Sequence, residues 1–384
     1  MSKKLCVVTG TRSEYGLLKP VMSAIKKHKH LTLQLVVTGS HLNDIFGGTI
    51  KEIERDGFNI DAKVKLSLDD DTNIGMSIVL GETVLKLTKT FQELKPSLIL
   101  ILGDRVEVFG AALAAFYMNI PVAQMHAGDK SIGGHLDDSA RHAISKLASI
   151  NFAASKQSYE RLIRMGEEKW RVHHVGAPGL DSILNRKFMT REELFSKLNL
   201  ENRETIILLF HSITTEVGES IKRIKSIMDA MKKLDKQVIA VFPNADAGGR
   251  GILELIEECS AKFDHIHIFK NIDHDIFLNI MKHAEAMVGN SSSGIIEAPS
   301  FKLPVVNVGK RQEGRERADN IIDVGYSSED ILKAIEKALY DKEFRMRIAR
   351  CVSPYGDGKT AERVVSILNK IEITANLIQK KITY

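Results

Sequence analysis

Cysteine is scarce in this sequence: Cys6, Cys259 and Cys351 are the only three in 384 residues, far apart and without paired spacing. That excludes a disulfide framework and a cysteine-rich zinc site, and it fits a reducing compartment. Long apolar runs are missing as well. No stretch approaches the ~20 residues a membrane-spanning helix needs, and MSKKLCVVTG leads straight into a strand with no secretory h-region. A cytoplasmic protein without membrane association is expected. Charge of one sign is not in large excess: the formal net charge is +5, and the local basic cluster Lys26-Lys27-His28-Lys29-His30 has no interleaved aromatics. It reads as a solvated helix end rather than a nucleic-acid surface, and the balance suits a small anionic ligand. The fingerprint G-x-G-x-x-G is absent too, which removes the support for NAD or FAD. The 13 histidines lack ligand spacing, and Asp69-Asp70-Asp71 stands before a helix start, where the dipole favours carboxylates. No metal and no cofactor are expected.

What is present is ordinary globular material, 43% hydrophobic and 27% charged, in a chain long enough for two domains at a prior of roughly 150 residues each. Leu5 to Thr9 is a β-rich run ending at Gly10, and Thr11-Arg12-Ser13-Glu14 opens a helix through Leu17, Val21 and Ile25. Strand, glycine turn and helix begin a Rossmann-like unit whose first helical turn offers N–H groups to a phosphate. Arg12 stands beside a positive helix end, a place that suits arginine when an anion joins it; the alternative is an ordinary helix-start side chain. Leu33 to Thr38 repeats the pattern, and Ser40-His41-Leu42 is expected to lead into a helix carrying Phe46 and Ile50. A helix from about Met76 to Leu94 follows, closed by Pro96.

The stretch from Leu98 to His142 organises the first half. The apolar run LILIL is closed by Gly103-Asp104-Arg105, IPVAQM by His126-Ala127-Gly128-Asp129, and Asp137-Asp138-Ser139-Ala140-Arg141-His142 comes next. Continuous apolar runs ending this way read as parallel strands that deliver ionisable groups to the crevice where open α/β sheets keep ligands. Asp104 as a helix cap and Asp137 as a solvated helix start are the plainer readings. Repetition over successive units favours chemistry.

Strand Ile150–Ala154, helix Gln157–Met165 and strand Val172–Val175 lead to Gly176-Ala177-Pro178-Gly179, read as the crossover between domains 1–178 and 179–358. A second α/β series then runs through IILLFH, VIAVFPNAD, HIHIF, AMVGN and PVVNVG. The fold class is therefore α/β, two Rossmann-like doubly wound parallel-sheet domains facing a cleft. In the second, a strand ends in Asn290-Ser291-Ser292-Ser293-Gly294, where hydroxyls and backbone N–H groups can cradle a diphosphate. Glu297 is placed to accept from a ribose diol, and His211 and Arg311 close neighbouring strands.

In this order, GTRSEYG, LGDRVEVF, HAGD with LDDSARHAISKLA, FHSITTE, FPNADAG, NSSSGIIEAPS, VNVGKRQEGRERADN and SPYGDGKTAER resemble the UDP-N-acetylglucosamine 2-epimerase family over nearly the whole chain. The resemblance implies a glycosyltransferase-B-like fold, UDP in the cleft, and a last helix from about Lys359 packing 359–384 back on the first domain. It is nearer the hydrolysing branch, which forms free N-acetylmannosamine and UDP for sialic-acid-type pathways, than the reversible one. GTRSEYG stands where reversible members tend to carry G-T-R-P-E. Carried over, Arg12, Asn244, His211, Ser291, Ser292, Glu297 and Arg311 would hold UDP, and Asp104 and Asp137 would be catalytic carboxylates. Ser293 and Arg105 extend the UDP set, and His211 is also a catalytic candidate. The chain departs from the family at His126, where many members carry glutamate: either its imidazole or Asp129 takes the acid/base role. A homo-oligomer, dimer or tetramer, is expected.

The implied chemistry is loss of UDP from C1 and of the C2 hydrogen to give a glycal, then hydration with inversion at C2. Departure of the diphosphate leads, helped by Arg12, Arg311 and the serine turn, while a carboxylate or imidazole acts as base. Alternatives are the same reaction on a UDP-2,4-diacetamido-trideoxy sugar, the reversible epimerase, a UDP-sugar transferase on the same scaffold, and a non-catalytic nucleotide-sugar sensor.

Overall fold

The computed structural model describes residues 2–43, 48–70, 72–131, 136–213, 217–241, 249–269 and 272–384. Two parallel sheets organise the chain. The first holds β1 (Lys3–Thr9), β2 (Leu31–Thr38), β3 (Ala62–Val64), β4 (Leu98–Leu102), β5 (Val122–Met125), β6 (Ile150–Ala153) and β7 (Val172–His174) in the order β3-β2-β1-β4-β5-β6-β7. The second holds β8 (Thr205–Leu209), β9 (Gln237–Val241), β10 (Ile266–Phe269), β11 (Ala286–Gly289), β12 (Val305–Val308) and β13 (Ile321–Val324) in the order β10-β9-β8-β11-β12-β13. Every pairing is parallel, which explains strands such as LILIL that are buried on both faces. Each sheet reverses its strand order once, between β1 and β4 and between β8 and β11.

In the first unit, Leu18, Val21, Met22 and Ile25 of helix Arg12–Lys27 pack with Val364, Val365 and Leu368 of helix Thr360–Lys370 on one face of the sheet. The opposite face is covered by Leu87 and Phe91 of helix Asn73–Leu94 and by Ala111, Ala112 and Ala115 of helix Val106–Tyr117. The second unit has its own core, in which Ile224, Ile227 and Met228 pack against Ile206, Leu208 and Val238.

The first unit comprises the chain up to Lys130, Leu136–Asn185 and Tyr355–Tyr384; the second takes Ser131 and Arg186–Pro354. The division thus falls after Asn185 and Pro354 rather than after 178 and 358. The reason is local: Asp181, in helix Gly179–Leu184, accepts from the backbone N–H groups of Thr360 at 3.0 Å and Ala361 at 2.6 Å. A side chain just past the expected crossover therefore caps the helix Thr360–Lys370. Further on, the fully buried Arg171 donates to the carbonyls of Ser149, Asn376, Leu377 and Gln379 over 2.6–3.1 Å. The terminal segment is held by hydrogen bonds as well as by apolar contact.

After β2 the expected long helix is instead a 3-10 turn, Gly39–Leu42, and a helix Ile50–Arg55; Phe46 lies outside the described residues. His41 accounts for the turn: its ring is fully buried, with Nε2 3.1 Å from the Thr9 hydroxyl and Nδ1 2.6 Å from that of Thr49. Among the described residues no helix is long and apolar enough to cross a membrane.

Candidate functional site

In the first unit the strand-order reversal lies between β1 and β4, and the residues that follow these strands and β5 are ionisable. Arg12 and Asp104 are half-buried just past β1 and β4. Arg141, on helix Leu136–Leu147, is 3% exposed and bonds Asp104 with one terminal nitrogen. The other donates to Asp138 at 2.9 Å and to the Asp129 carbonyl at 3.1 Å. Burial opposes this charge, but Asp104, Asp129 and Asp138 outweigh it and raise the guanidinium pKa above its ordinary value. Asp137 stands half-buried in the first turn of the same helix.

The turn after β5 is clamped from several sides. His126 takes a left-handed backbone, φ 57°, unusual for a residue with a side chain. Arg161 bonds the Gly128 carbonyl and Arg141 that of Asp129. The Ser158 hydroxyl donates to Asp129 Oδ1 at 2.8 Å, and Asp129 Oδ2 lies 3.1 Å from His126 Nδ1. An ionised Asp129 can only accept, so Nδ1 carries the hydrogen, and in the neutral ring Nε2 is the acceptor. That Nε2 is buried with no partner among the described residues. The alternatives of the sequence, His126 or Asp129, are thus parts of one array.

Behind it, Arg105 Nε lies 3.5 Å from Glu107 Oε2 and 4.0 Å from Glu14 Oε1. Burial, then Glu107, pushes the Glu14 pKa up to about 8 against the pull of Arg105 and the Gly10 N–H. Glu14 and Glu107 escaped the sequence reading because an acid in a first helical turn looks like a dipole partner; only their burial reveals more. Arg141 and Ser158 were equally unassigned, and Arg141 alone had a signal, its place in the DDSARH run.

The second unit builds its strand-order reversal from backbone and small side chains. Gly289, φ 141°, passes so close to β8 that a Cβ there would lie 1.9 Å from the Leu209 carbonyl oxygen. Asn290, fully buried, accepts from the His211 N–H at 2.7 Å and donates to its carbonyl at 2.9 Å, locking the ends of β8 and β11. Arg311 and Gln312 donate to the Asn290 carbonyl at 3.1 and 2.8 Å. Ser291, Arg311 and His211 are therefore brought to one sheet edge. The hydroxyls of Ser292 and Ser293, both half-buried, have no partner among the described residues, whereas that of Ser291 accepts from the Ser293 N–H at 3.3 Å. Glu297 is buried, with Oε1 3.4 Å from Nε2 of His274. The serine segment enters a helix of a single turn, Ser293–Ile296. A dipole that short is small. Asn244 lies outside the described residues.

The chain is similar to known proteins along nearly its whole length. A protein of Legionella pneumophila named UDP-N,N'-diacetylbacillosamine 2-epimerase (hydrolyzing) is 38% identical over 99% of both chains. A UDP-N-acetylglucosamine 2-epimerase of Neisseria meningitidis serogroup B is 34% identical over 99% of this chain and 98% of its own. Among solved structures, a UDP-GlcNAc 2-epimerase from Neisseria meningitidis bound to UDP-GlcNAc superimposes with a TM-score of 0.82 at 22% identity, covering 96% of this chain and all of that one. The fold class is accordingly that of two glycosyltransferase-B-like α/β domains. Residues 23–369 match the family profile described as UDP-N-acetylglucosamine 2-epimerase, and with relatives this similar along the whole length the chain belongs to that family.

Proposed function

We propose that the chain is a hydrolysing 2-epimerase that converts UDP-N-acetylglucosamine and water into N-acetylmannosamine and UDP. The observation that carries this reading is the buried His126 Nε2, left without a partner while Asp129 and Ser158 orient the ring. A base fixed in that way is suited to taking a proton from carbon. The C1–O bond breaks first, and its electron pair leaves with the diphosphate. Ser291, Ser292, Ser293, Arg311 and Arg12 receive the growing charge, and Glu297 and His211 hold the nucleoside side. Asp104 and Asp137 steady the cationic ring. His126 Nε2 takes the C2 proton as the C1–C2 double bond forms. Water then adds hydroxyl to C1, and C2 regains a proton on the opposite face.

A second substrate, the UDP-2,4-diacetamido-trideoxy sugar, is supported by the name of the 38% identical relative. Both are tested together by proton NMR in heavy water with each UDP-sugar. Free UDP, a C2-inverted sugar and deuterium at C2 are expected, and the faster substrate is the true one. An epimer still attached to UDP would make the enzyme reversible, and UDP release only with an added acceptor would make it a transferase. Either result overturns the proposal.

A further inference from the structure

Two carboxyl side chains have no role in the reaction proposed above, yet both are buried: Glu14 is 5% exposed and Glu107 2%. They approach each other over Gly10. Glu14 Oε2 accepts from the Gly10 N–H at 2.8 Å, and a Cβ on Gly10 would lie 3.2 Å from Glu107 Cδ. A Cβ on Gly39 would lie 2.8 Å from Glu107 Oε1, which places this carboxyl against the ends of both β1 and β2. Arg105 faces both acids, its Nε 3.5 Å from Glu107 Oε2 and 4.0 Å from Glu14 Oε1. Glu14 Oε1 and Glu107 Oε2 are buried with no hydrogen-bond donor among the described residues. Both acids ionised beside one guanidinium would leave a net negative charge out of water, with two acceptor oxygens lacking a donor. A proton on Glu14 removes that excess charge.

We infer that Glu14 carries a proton at neutral pH, opposite Glu107, and that the acid so protonated positions Arg105 beside Asp104. The first clause rests on the folded chain alone; the value of a positioned Arg105 rests on the activity proposed above. The charged groups that act on Glu14 beside Glu107 are Arg105 and Asp104, both from the turn after β4. His41, from the end of β2, is held neutral because burial, with Arg12 adding, pushes its pKa down to about 3. The direction at Glu14 agrees: burial, Glu107 and Asp104 raise it to about 8 from an ordinary 4.5. A folded acid raised in this way keeps a proton that the unfolded chain has lost. Its stability contribution therefore falls as pH rises above 4.5 and is gone above about 8.

The test uses the ligand-free full chain and Glu14→Gln, whose amide copies a protonated acid, beside Glu14→Ala and Glu107→Gln. Difference infrared spectra of wild type minus Glu14→Gln at pH 7 should show a protonated carboxyl C=O band. Glu107→Gln should lose the same band, because Glu14 then ionises without its neighbour. The unfolding midpoint of wild type should drop by several degrees between pH 6 and pH 9, that of Glu14→Gln should stay level, and Glu14→Ala should unfold lower throughout. In UDP release, the alkaline limb of the pH profile should move up by at least one unit in Glu14→Gln. Absence of the carboxyl band, or parallel pH curves for wild type and Glu14→Gln, would overturn the protonated Glu14. If the band and the stability shift are found but no UDP-sugar is turned over, the proposed activity fails and the protonated Glu14 stands.

Discussion

The two sheets reverse their strand order once each, but they furnish the two edges with opposite chemistry. Past β1, β4 and β5 the first unit sets Asp104, Arg141, Asp138, Asp129 and His126 in mutual contact. Past β8 and β11 the second sets a glycine, a backbone-locking asparagine and three serines, with Arg311 as the charged member in contact with Asn290. Groups that move protons must be ionisable and held out of water, where each charge has to be matched by another. Groups that hold a diphosphate need only donors and close backbone approach. The first edge is therefore maintained by charge balance and the second by shape.

That contrast can be broken at several points, the strongest first. Arg141→Leu removes the cation shared by three acidic residues and should destabilise by about 3–5 kcal/mol in urea unfolding, with hydrogen exchange rising in the first unit and unchanged in the second. Equal rises in both would mean that charge balance is not local to one edge. Asp104→Asn should lower UDP release by about 10²–10³-fold while calorimetry finds UDP affinity within a factor of about two; unchanged turnover would remove Asp104 from the catalytic set. The double change Ser291→Ala with Arg311→Ala should do the reverse, weakening UDP binding by about 10–100-fold while hydrogen exchange in the first unit stays as it was. An unaltered dissociation constant would reject that edge as the anion site. The smallest effect concerns acid. The unfolded chain protonates His41 near its ordinary 6.5, whereas burial, with Arg12 adding, holds the folded pKa at about 3. Stability from this residue is complete above 6.5 and lost as pH falls toward 3. His41→Asn should remove a few degrees of that acid slope in thermal unfolding between pH 7 and pH 4.

The sheet-forming runs were plain in the sequence because parallel strands are apolar on both faces: LILIL and IILLFH have no alternation to misread. The strand ends were equally plain, since Gly103-Asp104 and Gly289-Asn290 break those runs abruptly. Helix Asn73–Leu94 begins three residues before Met76 because the Thr72 hydroxyl caps it by accepting from the Gly75 N–H at 3.1 Å. What stayed hidden depends on contacts between distant segments. Asp181, just past the expected crossover, gave no local sign of accepting from the N–H groups of Thr360 and Ala361, some 180 residues on. Arg171 gave no sign of binding four carbonyls, and Glu14 none of facing Glu107. Local pattern reports period and punctuation; it does not report which long-range partner a buried charge has found.

The hold of Arg171 and Asp181 on the final segment bears on how the polypeptide matures. Residues 355–384 complete the unit that residue 2 begins, whereas Arg186–Pro354 form nearly all of the other. During synthesis the second unit can close as soon as its own strands have emerged. The first must wait, with the N-terminal helix face that Val364 and Leu368 later cover still open to water, until residues 355–384 have emerged. On the ribosome, then, the half of the enzyme made first is finished last, and the nascent chain's vulnerable surface is the one beside helix Arg12–Lys27.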